Sequence, residues 1–239
     1  MYSYNKHFLD SNILLGNILP SKDIKIYESY FSQDFKKLIS YRVSKESINV
    51  IFRSKRVSEK LLDFFRERII NRPTNPIQAE ITLNKIKNDF IHLYDEKNFP
   101  ENIKREKFIA MVNENYELFF DSFYQDLISN SHTHIDELKK KTSKDFTNYL
   151  KNLNILLSTL NIGTFYFEND DVPLERAISK IGIHKSDKLI LLDCYTFSKK
   201  FSNEVVAFIT SDKGIISSQK NIEKVLSYNF PIFDPKDYF

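Results

Sequence analysis

Four acidic residues stand out by what surrounds them. Asp10 follows the apolar stretch His7-Phe8-Leu9, and Asp212 follows the stretch from Val205 to Ser211. Asp187 comes just after Ser186 at the head of a helical pattern, and Glu46 lies in the helical pattern that leaves Lys37-Leu38-Ile39-Ser40-Tyr41. In an open parallel sheet, ligands and reacting groups gather outside the carboxyl ends of the strands, so acids at those ends carry more chemical weight than acids elsewhere. If these four converge, their mutual repulsion calls for one or two divalent cations held by oxygen ligands, Mg²⁺ or Mn²⁺. Such a centre suits phosphodiester hydrolysis, with the metal activating water and stabilising charge on the phosphate. Each acid also has a plain structural reading: Asp10 and Asp212 as turn formers or caps, Asp187 as a charge complementing a helix start, Glu46 as an exposed helix residue.

The surrounding pattern supplies strands and helices to position them. His7 to Leu9 reads as a short buried strand, with a helix starting at Ile13-Leu14-Leu15. Lys37 to Tyr41 reads as a second strand, after which Ser40 caps a helix whose register carries Val43, Val50, Ile51 and Phe52. Further on, Thr164 to Phe167 is strand-like, Ser186 caps a helix from Asp187 to Phe197, and Val205 to Thr210 is the clearest strand in the chain. A helix over Asn221 to Ser227 and a strand over Phe230 to Phe233, closed by Asp234-Pro235, complete the series. Strands alternating with helices predict an α/β fold with a parallel sheet flanked by helices.

The middle differs. From 57 to 160 the period is helical throughout: Leu61, Leu62, Phe65 and Ile69; Ile77, Ile81, Ile86, Phe90 and Leu93; Phe108, Met111, Val112, Tyr116, Phe119, Phe120 and Phe123; Phe146, Leu150, Leu153, Leu157 and Leu160. Breaks fall at Arg72-Pro73-Thr74-Asn75-Pro76 and at Asn98-Phe99-Pro100. The expected organisation is therefore one discontinuous domain, 1–56 with 161–239, interrupted by an all-helical insertion of roughly four helices over 57–160.

Composition narrows the function classes. With 239 residues, 41 % hydrophobic and 14 % aromatic, the chain has ample material for a core. Only four glycines occur, none at the spacing of a dinucleotide fingerprint or a P-loop, which removes those nucleotide-binding modes. A single cysteine, Cys194, rules out an internal disulfide framework and a thiolate cluster, and in an apolar helix it reads as a buried structural thiol. No apolar run is long enough to span a bilayer and the first residues lack a secretory core, so a soluble cytoplasmic protein without a membrane partner is the default expectation. The net charge of +3 is concentrated early: residues 1–56 hold ten Lys and Arg against five Asp and Glu.

The motifs together resemble the PIN-domain nucleases. Phe8-Leu9-Asp10-Ser11-Asn12-Ile13-Leu14 is similar to the opening motif of that family, a hydrophobic strand followed by Asp, a small hydroxyl residue, Asn and an apolar helix start. Ile39-Ser40-Tyr41-Arg42-Val43-Ser44-Lys45-Glu46 resembles the second strand and helix, Ser186-Asp187-Lys188-Leu189-Ile190-Leu191 the third motif, and Phe208-Ile209-Thr210-Ser211-Asp212-Lys213 the fourth. The likeness covers about 5–56 and 164–235 and leaves out the helical middle, which lengthens the interval between Glu46 and Asp187 to 141 residues. It implies a PIN-like parallel sheet and a divalent-metal endoribonuclease acting on single-stranded or structured RNA. Asp10, Asp187 and Asp212 would hold the metal, Glu46 would complete the pocket or orient the nucleophile, and Asn12, Thr210 and Ser211 would support a carboxylate or water. Asp193 is a poorer ligand, because six residues after Asp187 it faces away around the helix.

Basic residues acquire a context from this reading. Arg42 and Arg53 share the Glu46 face of their helix, and Lys45, Lys55 and Arg56 extend the positive surface, where phosphates of a nucleic acid would lie. Tyr27 and Tyr41 are candidates for base stacking, with core or surface roles weighing more. Two other signals are discounted: the His132-Thr133-His134 pair with Asp136 and Glu137 as a zinc site, and the run Lys139-Lys140-Lys141 as anything but a solvated face. The rival reading is a catalytically inactive PIN-like module that binds RNA or a protein partner through the insertion. A second copy of the chain also stays open as a partner.

Overall fold

The computed structural model describes residues 6–20, 22–70, 75–94, 105–163, 172–200, 205–229 and 231–237. It divides into two compact units, 1–49 with 149–239, and 50–148. The limits expected at 57 and 160 differ from these because the helices at both junctions run straight through. Helix α3 (Tyr41–Ile69) is continuous over 29 residues and α6 (Thr133–Thr159) over 27. Neither contains Gly or Pro, so no residue interrupts either hydrogen-bond ladder.

The first unit is built on five parallel strands: β1 (Lys6–Leu9), β2 (Lys36–Ser40), β3 (Asn161–Gly163), β4 (Val206–Ile209) and β5 (Ile232–Phe233). Their order in the sheet is β3-β2-β1-β4-β5. Parallel neighbours need crossovers, and helices lie in every one. These are α1 (Ser11–Gly16) and α2 (Ile24–Phe31) after β1, the run of helices from α3 to α6 after β2, α7 (Val172–Ser179) and α8 (Lys185–Lys200) after β3, and α9 (Lys213–Ser217) and α10 (Gln219–Leu226) after β4. Strand residues are buried in continuous runs, Phe8 and Leu9 in β1, Leu38 and Ile39 in β2, Val206 to Ile209 in β4, as a sheet covered on both faces requires. Phe8 stacks on Phe208 with ring centroids 6.3 Å apart. The chain steps outward from β1 to β3 and then returns to place β4 on the other side of β1, so the order reverses between β1 and β4. Such a reversal opens a crevice at the carboxyl ends of the two strands.

Several elements depart from the expectations. Helix α2 has no counterpart in the sequence reading, and it buries Tyr27 and Tyr30. Tyr27 therefore cannot stack a base: its ring lies against Gly16, where any Cβ would overlap it. Helix α8 starts at Lys185, so Ser186 is inside the first turn rather than capping it, and the Lys188 amide bonds back to the His184 carbonyl. The expected strand over Thr164 to Phe167 lies outside the described residues.

The second unit contains most of α3 together with α4 (Pro76–Leu93), α5 (Arg105–Ser129) and most of α6. Phe65 stacks on Phe123 at 3.9 Å in a core that also takes Leu61, Leu83, Phe90, Val112 and Ile135. Ile77, Ile81 and Leu93, expected in this core, are exposed; α4 instead buries Ala79, Leu83, Ile86 and Phe90, a face rotated away from Ile77 and Ile81. Phe52 on α3 is likewise 43 % exposed. Among the described residues no helix is long and apolar enough to cross a membrane.

Candidate active site at the sheet's carboxyl edge

Asp10 terminates β1 at the reversal point. Its amide bonds to the Ile209 carbonyl of β4, its extended backbone makes it the N-cap of α1, and its Oδ1 accepts from the Ser11 amide at 2.7 Å. The other oxygen, Oδ2, accepts from the Asn12 side-chain amide at 2.8 Å and from the Thr210 hydroxyl at 2.8 Å. Asn12 also donates to Thr210 Oγ1 at 3.1 Å, and its Oδ1 receives the Ser211 amide at 3.3 Å. Residues about 200 positions apart in sequence are thereby tied into one knot across β1 and β4. Ser211 enters it through its backbone.

Asp212 caps α9. Its Oδ1 accepts from the Gly214 amide at 2.7 Å and the Ile215 amide at 3.1 Å, while its own amide donates to Thr210 Oγ1 at 3.1 Å. Asp187 lies half-buried in the first turn of α8, with its Oδ1 receiving the Ser186 hydroxyl at 3.1 Å. Glu46 is half-buried in α3.

Two of the other acids act on the Asp10 carboxyl through their charge. Asp10 is only 3 % exposed, and its pKa is pushed up to about 7. Burial is the main cause; the Thr210 and Ser11 hydrogen bonds oppose it, and the negative charges of Asp187 and Glu46 add to it. Carboxylates from β1, α3 and α8 thus share one electrostatic neighbourhood. Asp212 touches this network only through its backbone amide, which donates to the Thr210 hydroxyl oxygen, while its carboxylate is engaged in capping α9.

The donors are all oxygen, which matches a hard divalent cation, and the charge that such an ion would neutralise is present at Asp10. As placed, no three His, Cys, Asp or Glu side chains among the described residues stand around one point closely enough to hold a metal. Were a Mg²⁺ or Mn²⁺ ion to bind, Asp10, Asp187 and Asp212 would be its ligands, directly or through water, and Glu46 would complete the pocket or orient the nucleophile.

The basic residues are less uniform than their spacing suggests. Arg42 Nε lies 3.8 Å from Oδ2 of Asp193, which is fully buried in α8. Arg42 is therefore turned toward the protein interior, and its charge also helps lower the Glu175 pKa, after the larger effects of Lys188. Lys45 and Arg56 are exposed; Arg53 and Lys55 are half-buried, and Lys55 lies 3.7 Å from Glu59 one turn on.

The sequence reading missed the pairs that hold α7 and α8. Lys188, buried beside Asp187, donates to Glu175 Oε1 at 2.7 Å and to the Ser179 hydroxyl at 3.0 Å. The available signal was chemical: Lys188 and Asp193 bracket the run Leu189-Ile190-Leu191-Leu192, and a charge inside an apolar helix needs a partner. Cys194 is fully buried and its thiol is pushed up by burial, as a structural cysteine should be. The histidine pair is also structural, since His134 Nδ1 bonds Asp126 at 2.8 Å and His132 Nδ1 bonds Asp136 at 2.7 Å at the turn between α5 and α6.

No family model, no curated protein and no solved structure matches this chain.

Proposed function

We propose that the chain is a PIN-like, divalent-metal-dependent endoribonuclease whose active site is the crevice between β1 and β4. The observation that supports this reading is the buried Asp10 carboxylate at the strand-order reversal, tied to Asn12 and Thr210 and within reach of the charges of Asp187 and Glu46. A Mg²⁺ or Mn²⁺ ion bound there supplies Lewis acidity toward a phosphodiester and lowers the pKa of water. Asn12, Thr210 and the Ser11 amide fix the Asp10 carboxylate so that it presents charge without turning. Glu46, half-buried on α3 and acting on Asp10 through its charge, would orient the attacking water or take its proton. Lys45, exposed on α3 one residue before Glu46, supplies a phosphate contact.

The test is cleavage of single-stranded RNA, single-stranded DNA and a small phosphate ester side by side, with Mn²⁺ or with chelator. Metal-dependent RNA cleavage that disappears in both Asp10→Asn and Asp187→Asn supports the assignment. Activity unchanged in both variants refutes it. The rival, an inactive RNA- or protein-binding module, draws on two facts: both Asp10 oxygens already accept hydrogen bonds, and no three ligands surround one point among the described residues. Tight RNA or protein binding without Mn²⁺ uptake or cleavage would favour it.

A further inference from the structure

The helical unit carries a cleft of about 440 Å³ between α4 and α5, of a size that suits a small ligand. Two helix faces line it: Glu80, Asn84 and Lys87 from α4 at four- and three-residue steps, and Tyr116, Glu117 and Phe120 from α5. Tyr116 is 6 % exposed, and its hydroxyl is buried without a hydrogen-bond partner among the described residues. A buried hydroxyl left in that state is a cost to the fold, which a hydrogen-bonding group entering the cleft would relieve. The Lys87 ammonium sits 4.6 Å from the centre of the Tyr116 ring, and the Phe120 ring meets Tyr116 edge-on at 5.8 Å.

The chemistry of the walls selects an occupant. Two carboxylates accept hydrogen bonds from a donor edge, the Asn84 amide both donates and accepts, Lys87 donates, and the half-buried Phe120 ring offers a flat apolar surface. Edge-reading polar groups beside an aromatic platform are what recognises an unstacked base. Glu80 and Glu117 outnumber Lys87, so a phosphate is not attracted first and the occupant enters by its base. We infer that the α4–α5 cleft is a subsite for one unstacked nucleobase of a single-stranded nucleic acid, with guanine, whose ring N–H and amino group suit a carboxylate, the preferred base. This goes beyond the proposed nuclease chemistry and does not require it.

The experiment is calorimetric titration of the full chain with guanosine 5′-monophosphate in EDTA, with ribose 5-phosphate as control; chelator removes any metal-dependent contribution from the acidic edge. Saturable nucleotide binding without binding of the sugar phosphate is expected. Tyr116→Phe should weaken it at least about fivefold without lowering the thermal midpoint, because the lost hydroxyl bonds nothing in the free protein. Glu117→Gln, at an exposed position, should weaken it comparably. Absence of nucleotide binding at millimolar concentration, equal binding of ribose 5-phosphate, or affinity unmoved by both variants overturns the inference. Cleavage does not enter the readout, so failure of the nuclease reading and failure of this one are separately visible.

Discussion

Asp10 and Asp126 are both buried carboxylates with four side-chain hydrogen bonds each, yet their charge states diverge. Asp10 takes donors from Ser11, twice, and from Asn12 and Thr210; Asp126 takes the Ser131 hydroxyl, the His134 amide and ring, and the Ile135 amide. Burial opposes the charge at both. At Asp126 the backbone amides of Ile135 and His134 and the side chains of His134 and Ser131 outweigh burial, and the pKa is lowered. At Asp10 burial, with the charges of Asp187 and Glu46 added, outweighs the hydrogen bonds, and the pKa rises to about 7. The lesson is that hydrogen bonds secure a buried charge only where together they outweigh desolvation, as they do at Asp126 and do not at Asp10. Asp126 joins two helices and is satisfied as it stands, whereas Asp10 retains a negative field that a cation would relieve.

The largest effect that would sharpen this contrast is on activity. Asp10→Asn should reduce Mn²⁺-dependent RNA cleavage by about a hundredfold to a thousandfold, while Asp126→Asn, remote in function, leaves the rate per folded molecule unchanged. Single-turnover cleavage assays on folded protein check both. Next comes stability at the helical junction. Asp126→Ala strands the His134 and Ile135 amides and should cost about 3 kcal/mol in denaturant unfolding. A loss below about 0.5 kcal/mol would remove Asp126 as the structural member of the comparison.

The two carboxylates should also pull stability in opposite directions with pH. The folded pKa of Asp10 lies above its unfolded value of 3.8, so its contribution is fully present below about pH 4 and is lost as pH rises through about 7. The loss is on the order of 2 to 4 kcal/mol, and Asp10→Asn should abolish that slope and be the more stable protein at pH 8. The Asp126 contribution runs the other way, present above the unfolded pKa and lost as pH falls through its lowered folded value. Unfolding measured from about pH 2 to 8 in metal-free buffer, with and without each Asn substitution, reads both slopes, the Asp126 slope at its acid end and the Asp10 slope above about pH 4. The smallest effect is Thr210→Val. It removes the hydrogen bond to Asp10 and the acceptor for the Asn12 side-chain amide and the Asp212 backbone amide, and should cost about 1 to 2 kcal/mol while raising the Asp10 pKa further.

What the sequence determined by itself is local. Alternating apolar runs placed β1, β2 and β4 to within a residue or so, the Pro-rich breaks separated α4 and α5 from their neighbours, and Asp10, Asn12, Thr210 and Asp212 were legible because strand ends and helix caps are written in adjacent residues. Tertiary structure decided the rest. Periodicity marked Ile77 and Ile81 as apolar but could not say which face of α4 meets the core, because Ala79 and Leu83 compete for it. Spacing put Arg42 on the Glu46 face, yet the buried Asp193 carboxylate on another helix draws it inward. The elevated pKa of Asp10 likewise comes first from its burial in the folded chain, with a smaller addition from acids 36 and 177 residues away in sequence. Helix and strand formation is governed by neighbours within a turn or two, whereas desolvation and charge act through distances in space that the chain acquires only on folding.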